Sequence, residues 1–283
     1  MISQNGRLAG KAIIVTGSTK GFGAAMVKRF AVEGANVVIT GRNEARGREI
    51  EQEIQAEGHS AVFLPTDMSE EDSVRAMCAG TVAEFGRIDG LVNNAMAMDQ
   101  IGSDERAVAD MDSAGFDKIL KVGIYGVFWA CKYAIPEMLK VGGGSIVNIS
   151  SIAAVAGVPK MPGYSACKGA MGALTRQMAV DYGSAGIRVN TMVSGFVLSS
   201  ELAAAVDAHP QAGPLMQEAQ LTRWGHLDDI SAMATYLLSD ESGFVTGAEM
   251  RIDGGWSSTA RIPNLVDMVF APLAAQQAAA ARA

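Results

Sequence analysis

From Lys11 onward the chain alternates short, β-branched, continuously apolar runs with longer stretches of helical period. The runs are Ala12–Thr16, Asn36–Thr40, Ala61–Leu64, Gly90–Asn93, Ser145–Ser150, Arg188–Val193 and Glu249–Ile252. The helical stretches are Gly23–Glu33, Glu44–Glu57, Glu70–Phe85, Ser113–Lys140, Gly163–Ser184 and Asp228–Ser239, with Ser69 and Asp72 spaced as a capping box before the third. Such alternation predicts repeated βαβ units and a parallel sheet. Strands apolar on both sides need helices on both faces. The expected fold is therefore α/β, a doubly wound, seven-stranded parallel sheet in one domain over residues 1–256. Ser199–Arg223, broken by His209-Pro210 and Gly213-Pro214, reads as an irregular insert of the kind that forms a lid. Residues 257–283 form a C-terminal extension whose last part, Ala271 to Ala283, is rich in Ala and Gln.

Composition removes several function classes. The chain carries 23 Lys and Arg against 30 Asp and Glu, a net charge of −7, and no basic cluster, which argues against a nucleic-acid partner. Its start, Met1–Gly10, is polar, and no run reaches the roughly 18 apolar residues of a membrane span. A cytoplasmic enzyme is expected, with no membrane partner. Three cysteines and three histidines show neither a disulfide framework nor zinc spacing, so no metal is expected. Glycine is in excess, 32 of 283 residues.

Three of those glycines lie directly after the first strand, in Thr16-Gly17-Ser18-Thr19-Lys20-Gly21-Phe22-Gly23, which leads into a helix. Gly17, Gly21 and Gly23 let the backbone turn tightly and approach a pyrophosphate seated on the positive end of that helix. The second strand ends Thr40-Gly41-Arg42-Asn43, without the carboxylate that would take the adenosine ribose of NAD and repel the phosphate of NADP. Arg42 can pair with a phosphate bidentately, and Lys20 adds positive charge. NADP(H) is expected over NAD(H).

A second motif is Tyr164-Ser165-Ala166-Cys167-Lys168. A spacing of four places Tyr164 and Lys168 on one helix face. A phenol titrates near ~10, and a neighbouring ammonium is expected to lower it. Upstream, a strand ends Asn148-Ile149-Ser150-Ser151.

The wide G-x-x-x-G-x-G spacing and the Tyr/Lys pair resemble the short-chain dehydrogenase/reductase family, and within it NADP(H)-dependent carbonyl reductases and 3-oxoacyl-reductase-like members. The resemblance runs from about Leu8 to Trp256. It implies that Tyr164 gives a proton to a carbonyl oxygen, that Ser151, with Ser150 as the neighbouring alternative, holds that oxygen, and that Lys168 binds the nicotinamide ribose. It assigns Gly17, Ser18, Thr19, Lys20, Gly21, Phe22 and Gly23 to the cofactor loop, Asp67 and Met68 to adenine, and Asn94 to the adenosine ribose region. Gly195, Val197 and Ser199 fall to the nicotinamide site, and Asp253-Gly254-Gly255 to the last strand and subunit contacts. A homo-oligomer, tetramer or dimer, is implied.

Three positions depart from the family pattern. Met96 stands for a Gly after Asn93-Asn94-Ala95, Gly123 for a helix Asn that orients a relay water, and Ser194 for a Pro before Gly195. Either water fills the space at Gly123 and preserves a weakened relay from Lys168, or the space admits a bulkier substrate or the site has been altered by selection or engineering, with neutral drift as the plain alternative. The carbonyl pocket is expected from Met96, Met98, Gly123, Val155, Met161, Phe196, Leu198 and Leu202, with Met216 at its margin. Such a lining suits a bulky, uncharged ketone or secondary alcohol. The expected function is NADP(H)-linked interconversion of that pair. The alternatives are an NAD-linked alcohol dehydrogenase and a weakly active cofactor-binding protein.

Overall fold

A computed structural model of the chain describes residues 6–199, 202–203, 206, 211–218 and 220–259. Its strands are β1 Ala12–Val15, β2 Asn36–Gly41, β3 Ala61–Pro65, β4 Gly90–Asn93, β5 Gly144–Ser151, β6 Ile187–Ser194 and β7 Glu249–Ile252. They form one seven-stranded sheet in the order β3-β2-β1-β4-β5-β6-β7, with every pairing parallel. The helices are α1 Gly21–Val32, α2 Glu44–Ala56, α3 Glu71–Phe85, α4 Met98–Ser103, α5 Ser113–Leu120, α6 Gly126–Lys140, α7 Pro162–Tyr182, α8 Ala212–Glu218 and α9 Leu227–Leu238.

The period of two along each strand sends alternate side chains to opposite faces. Ile13 and Val15 pack with Met26 and Phe30 of α1, Ile50 of α2 and Leu237 of α9. Ile14 faces the other way, among Met77 of α3, Ala130 and Met138 of α6 and Met171 of α7. Each such fully buried side chain contributes about 1.5–3 kcal/mol by leaving water. The doubly wound architecture expected from the sequence is the one found. The chain order reverses between β1 and β4, which opens a crevice at the carboxyl ends of these strands where ligands bind in such sheets.

Several local expectations change. The stretch 113–140 is not one helix. A π-helical turn, Lys121–Tyr125, separates α5 from α6, a feature frequent at functional sites. Ser69 does not cap α3. Its hydroxyl donates to Asp67 Oδ1 at 2.7 Å, and Glu70 stands at the cap position without a side-chain bond. Strand β7 alternates exposed and half-buried residues because it is the sheet edge and is covered on one side only. Within the insert 199–223, α8 is regular. Its base is closed where Leu198 N donates to Gly225 O at 2.9 Å and Gly225 N to Phe196 O at 3.0 Å. His209, Pro210 and the tail from Ala271 lie outside the described residues.

Candidate active site

Strand β5 ends in two serines with different work. Ser150 Oγ donates to the Lys168 carbonyl at 2.8 Å, and its own carbonyl accepts from Ser194 Oγ at 3.0 Å. Ser150 is thereby spent on holding β5, β6 and α7 together, and Ser194 adds a bond that the family's proline would lack. Ser151 Oγ accepts a long bond from Ala153 N at 3.3 Å and shares a hydrogen bond with the Tyr164 side chain. Of the two, Ser151 is the one that reaches the phenol.

Helix α7 is fixed against the sheet by buried polar contacts, Asn148 Nδ2 to Thr175 Oγ1 at 2.7 Å and Thr175 to Thr191 at 2.7 Å. This holds Tyr164 and Lys168 in place. Lys168 Nζ donates to Ile149 O at 2.7 Å and lies 5.4 Å from the centre of the Tyr164 ring. The expected fall in the Tyr164 pKa is not found in the protein alone. Burial, the largest influence, pushes the phenol up, and the Ser151 bond pulls it back only in part. Burial acts on Lys168 in the opposite sense and pushes the ammonium down to about 8. A lysine at that value exchanges protons close to neutral pH.

That shift carries a stability consequence. The unfolded chain keeps the Lys168 proton up to its ordinary 10.5 and the folded chain releases it at about 8. The unfolded state thus binds more protons between these values, and stability from this site rises with pH across the window. Below pH 8 the full penalty stands, about 3 kcal/mol. The stability advantage of Lys168→Met over the parent is therefore expected to shrink by up to that amount between pH 7 and 10.5. Melting both proteins across that range checks it, and a constant difference would contradict it.

At the other end of the crevice, Gly17 has a φ of +65°. In the first turn of α1, a Cβ on Gly23 would stand 2.6 Å from Gly17 O. The cap residue Lys20 is extended and gives no side-chain cap, so the first amides of α1 are left for an anion. These features fit the pyrophosphate of a dinucleotide. Ser18 is turned inward, its Oγ donating to Val15 O at 2.8 Å and accepting from Thr40 N at 2.9 Å. Asn94 spends its amide hydrogens on Thr16 O at 2.9 Å and Gly17 O at 3.1 Å. Both brace the loop. Thr19 lies against Gly41, and Phe22 packs on the core.

Asp67 holds Ser69 N and Oγ. Although burial acts to raise its carboxyl, these bonds, with Arg42 and Lys121 nearby, hold it below its ordinary value. The Met68 side chain is buried in the core, so only its backbone is available to a ligand. Arg42 is exposed, and its Nη2 pairs with Asp99 Oδ2 of α4 at 2.7 Å. Asp99 gave no local sign of this role because its partner lies 57 residues away.

The space at Gly123 is not vacant, contrary to both functional readings of that position. A Cβ there would stand 2.6 Å from Cys167 Sγ, 2.9 Å from Cys167 Cβ and 3.0 Å from Met96 Sδ. The space beside Gly123 is filled by the sulfurs of Cys167 and Met96, so the departures at Met96 and Gly123 meet in one packed site. Of the other expected pocket residues, Met98, Val155 and Leu198 are exposed, Met161 and Leu202 are half-buried, and Phe196 faces Trp224 with ring centres 6.3 Å apart. Met216 is half-buried in α8. Gly195 lies against Asp253, where a Cβ would stand 2.6 Å from its Cα. Val197 is buried and bridges Gly225, and Ser199 Oγ accepts from Leu202 N at 3.2 Å. A cavity of about 740 Å³ behind Phe196 and Val197, lined also by Gln220, Arg223 and Tyr236, does not include Ser151, Tyr164 or Lys168.

Comparison with known proteins bears on this geometry. The profile of a family described as Enoyl-(Acyl carrier protein) reductase matches residues 17–257. A 2,5-dichloro-2,5-cyclohexadiene-1,4-diol dehydrogenase of Sphingobium indicum is 37% identical over 253 residues, 89% of this chain and 98% of that one. A gluconate 5-dehydrogenase of Burkholderia cenocepacia, solved with NADP and tartrate, superposes with a TM-score of 0.83 at 30% identity, covering 90% of this chain and 98% of its own. A 7α-hydroxysteroid dehydrogenase solved with NADH and 7-oxo glycochenodeoxycholic acid gives the same TM-score at 31% identity and the same coverage of both chains. With the parallel sheet and the glycine loop, these likenesses place the chain in the short-chain dehydrogenase/reductase family of NAD(P)-linked oxidoreductases that act on CH–OH groups.

Proposed function

We propose that the protein interconverts a bulky, uncharged ketone and its secondary alcohol with NADP(H). The observation that carries this reading is the convergence of Ser151, Tyr164 and Lys168 at the end of β5 and on one face of α7. Bound nicotinamide supplies or accepts the hydride. Ser151 holds the substrate oxygen, and Tyr164 Oη delivers a proton to it or removes one. The raised phenol pKa keeps that proton in place until substrate arrives, and Lys168, near pH-neutral exchange, keeps positive charge beside the ring. Apolar residues beside these motifs in the sequence, Val155 and Met161, with Met96 packed against Cys167 and Phe196 and Leu198 following β6, support an uncharged substrate. The ring-bearing substrates named for the cyclohexadiene-diol and hydroxysteroid relatives support a bulky one. Exposed Phe128 on α6 and Val180 on α7 support a homo-oligomer.

The cofactor preference rests on Arg42 and on the lack of a carboxylate at the end of β2. Asp99 favours the second reading, an NAD-linked dehydrogenase, because its carboxylate occupies the guanidinium and would face a 2′-phosphate. Asp99→Asn is expected to raise the NADPH over NADH ratio of kcat/KM about fivefold, the worth of one exposed ion pair of ~1 kcal/mol. An unchanged ratio would remove Asp99 from cofactor choice. The reading as a whole is tested by NADPH and NADH consumption over aliphatic, aromatic and cyclic ketones, with the reverse reaction on the alcohols. Turnover with NADPH that is lost in Tyr164→Phe supports it. Binding of both cofactors without turnover of any ketone or alcohol would replace it with a cofactor-binding protein.

A further inference from the structure

Helix α7 begins without a local cap. The cap residue Met161 offers no side-chain bond and Pro162 has no N–H. The first intrahelical bond runs from Ser165 N to Met161 O at 3.0 Å. That leaves two orphan donors, the amides of Gly163 and Tyr164. Both are taken by one carboxylate from 58 and 59 residues away, Glu105, whose Oε1 accepts from Tyr164 N at 2.6 Å and Oε2 from Gly163 N at 3.3 Å.

Glu105 is 4% exposed. A carboxylate taken from water needs charge-assisted partners, and the positive end of a helix supplies them. It lies between α4, which carries Met98, and α5, on a segment that Asp104 also ties to Lys118 at 3.5 Å. The short bond is made by the residue that bears the reacting phenol.

We infer that Glu105 is a positioning residue, fixing the backbone of Tyr164, and so its hydroxyl, to the segment joining α4 and α5. The inference rests on the reading of Tyr164 as acid/base. Glu105→Ala frees the first turn of α7. A displacement of about 1 Å at a reacting group costs about 10²-fold, and a fall of that order in kcat is expected, with cofactor Kd unchanged. Glu105→Gln keeps the reach and the Oε1 acceptor, and is expected to recover most of the loss. Glu105→Asp keeps the charge but is one methylene short, and a fall in kcat of about 10²-fold is expected for it too, so that the comparison with glutamine stands even where alanine fails to fold. A merely electrostatic cap would rank aspartate above glutamine.

The measurement is kcat, KM and cofactor Kd for the three variants on the best ketone, with Tyr164→Phe alongside. The order Gln above Asp in kcat supports the inference. Parental kcat in the folded alanine variant, or Asp above Gln, overturns it while an inactive Tyr164→Phe leaves the acid/base reading standing. Parental activity in Tyr164→Phe overturns that reading and this inference together.

Discussion

Replacing Tyr164 with Phe is expected to lower kcat by about 10²–10⁴-fold, the contribution of one positioned general acid, with cofactor affinity and thermal stability close to the parent's. The ring stays, so its packing on α7 and its place beside Lys168 Nζ, 5.4 Å from the ring centre, survive. The change removes one hydroxyl and its bond to Ser151. Lys168 keeps its bond to Ile149 O, because that contact does not pass through the phenol. Turnover under saturating substrate separates the effect from weaker binding: a loss seen in KM alone would mean that the hydroxyl holds substrate but does not carry the proton.

The regular parts of the molecule were legible because their causes are local. Runs such as Ala12–Val15 and Val37–Ile39 are apolar at every position because both faces of the sheet are covered, and the composition of the run records that. The glycine loop is legible for a similar reason, since close backbone approach at Gly23 excludes a Cβ. The π turn at Lys121–Tyr125 left no mark, because one additional residue per turn leaves the apolar spacing on either side intact. Glu105 and Asp99 were invisible because each partner is more than 50 residues distant. A lone carboxylate in a polar stretch looks like any solvated one. The sign of the Tyr164 shift also needed three dimensions, since it depends on how much water the fold removes and not on the nearby lysine alone.

Gly123→Asn, which restores the residue that the family resemblance implies, is expected to destabilise the protein and not to raise its turnover. The new Cβ would stand 2.6 Å from Cys167 Sγ and 3.0 Å from Met96 Sδ, and Cys167 is fully buried. Overpacking of this kind costs about 1–3 kcal/mol, and an amide left without partners beside two sulfurs costs about as much again. Relief of the helix penalty of glycine returns less than about 1 kcal/mol. A net loss of about 2–4 kcal/mol lowers Tm by about 5–15 °C in a chain of this size. The partner in the conflict is identifiable. Met96→Gly removes the Sδ contact and gives Cys167 room to turn, so the double variant is expected to be more stable than the sum of the two single changes by about 1 kcal/mol or more. Melting temperatures of the parent, both single variants and the double variant complete the cycle. Coupling of that sign would mean that Met96 and Gly123 are matched in packing, each making the other tolerable. Additive effects, or a Gly123→Asn protein as stable as the parent with faster turnover, would mean that the cavity opens readily and that the asparagine relay was merely vacated.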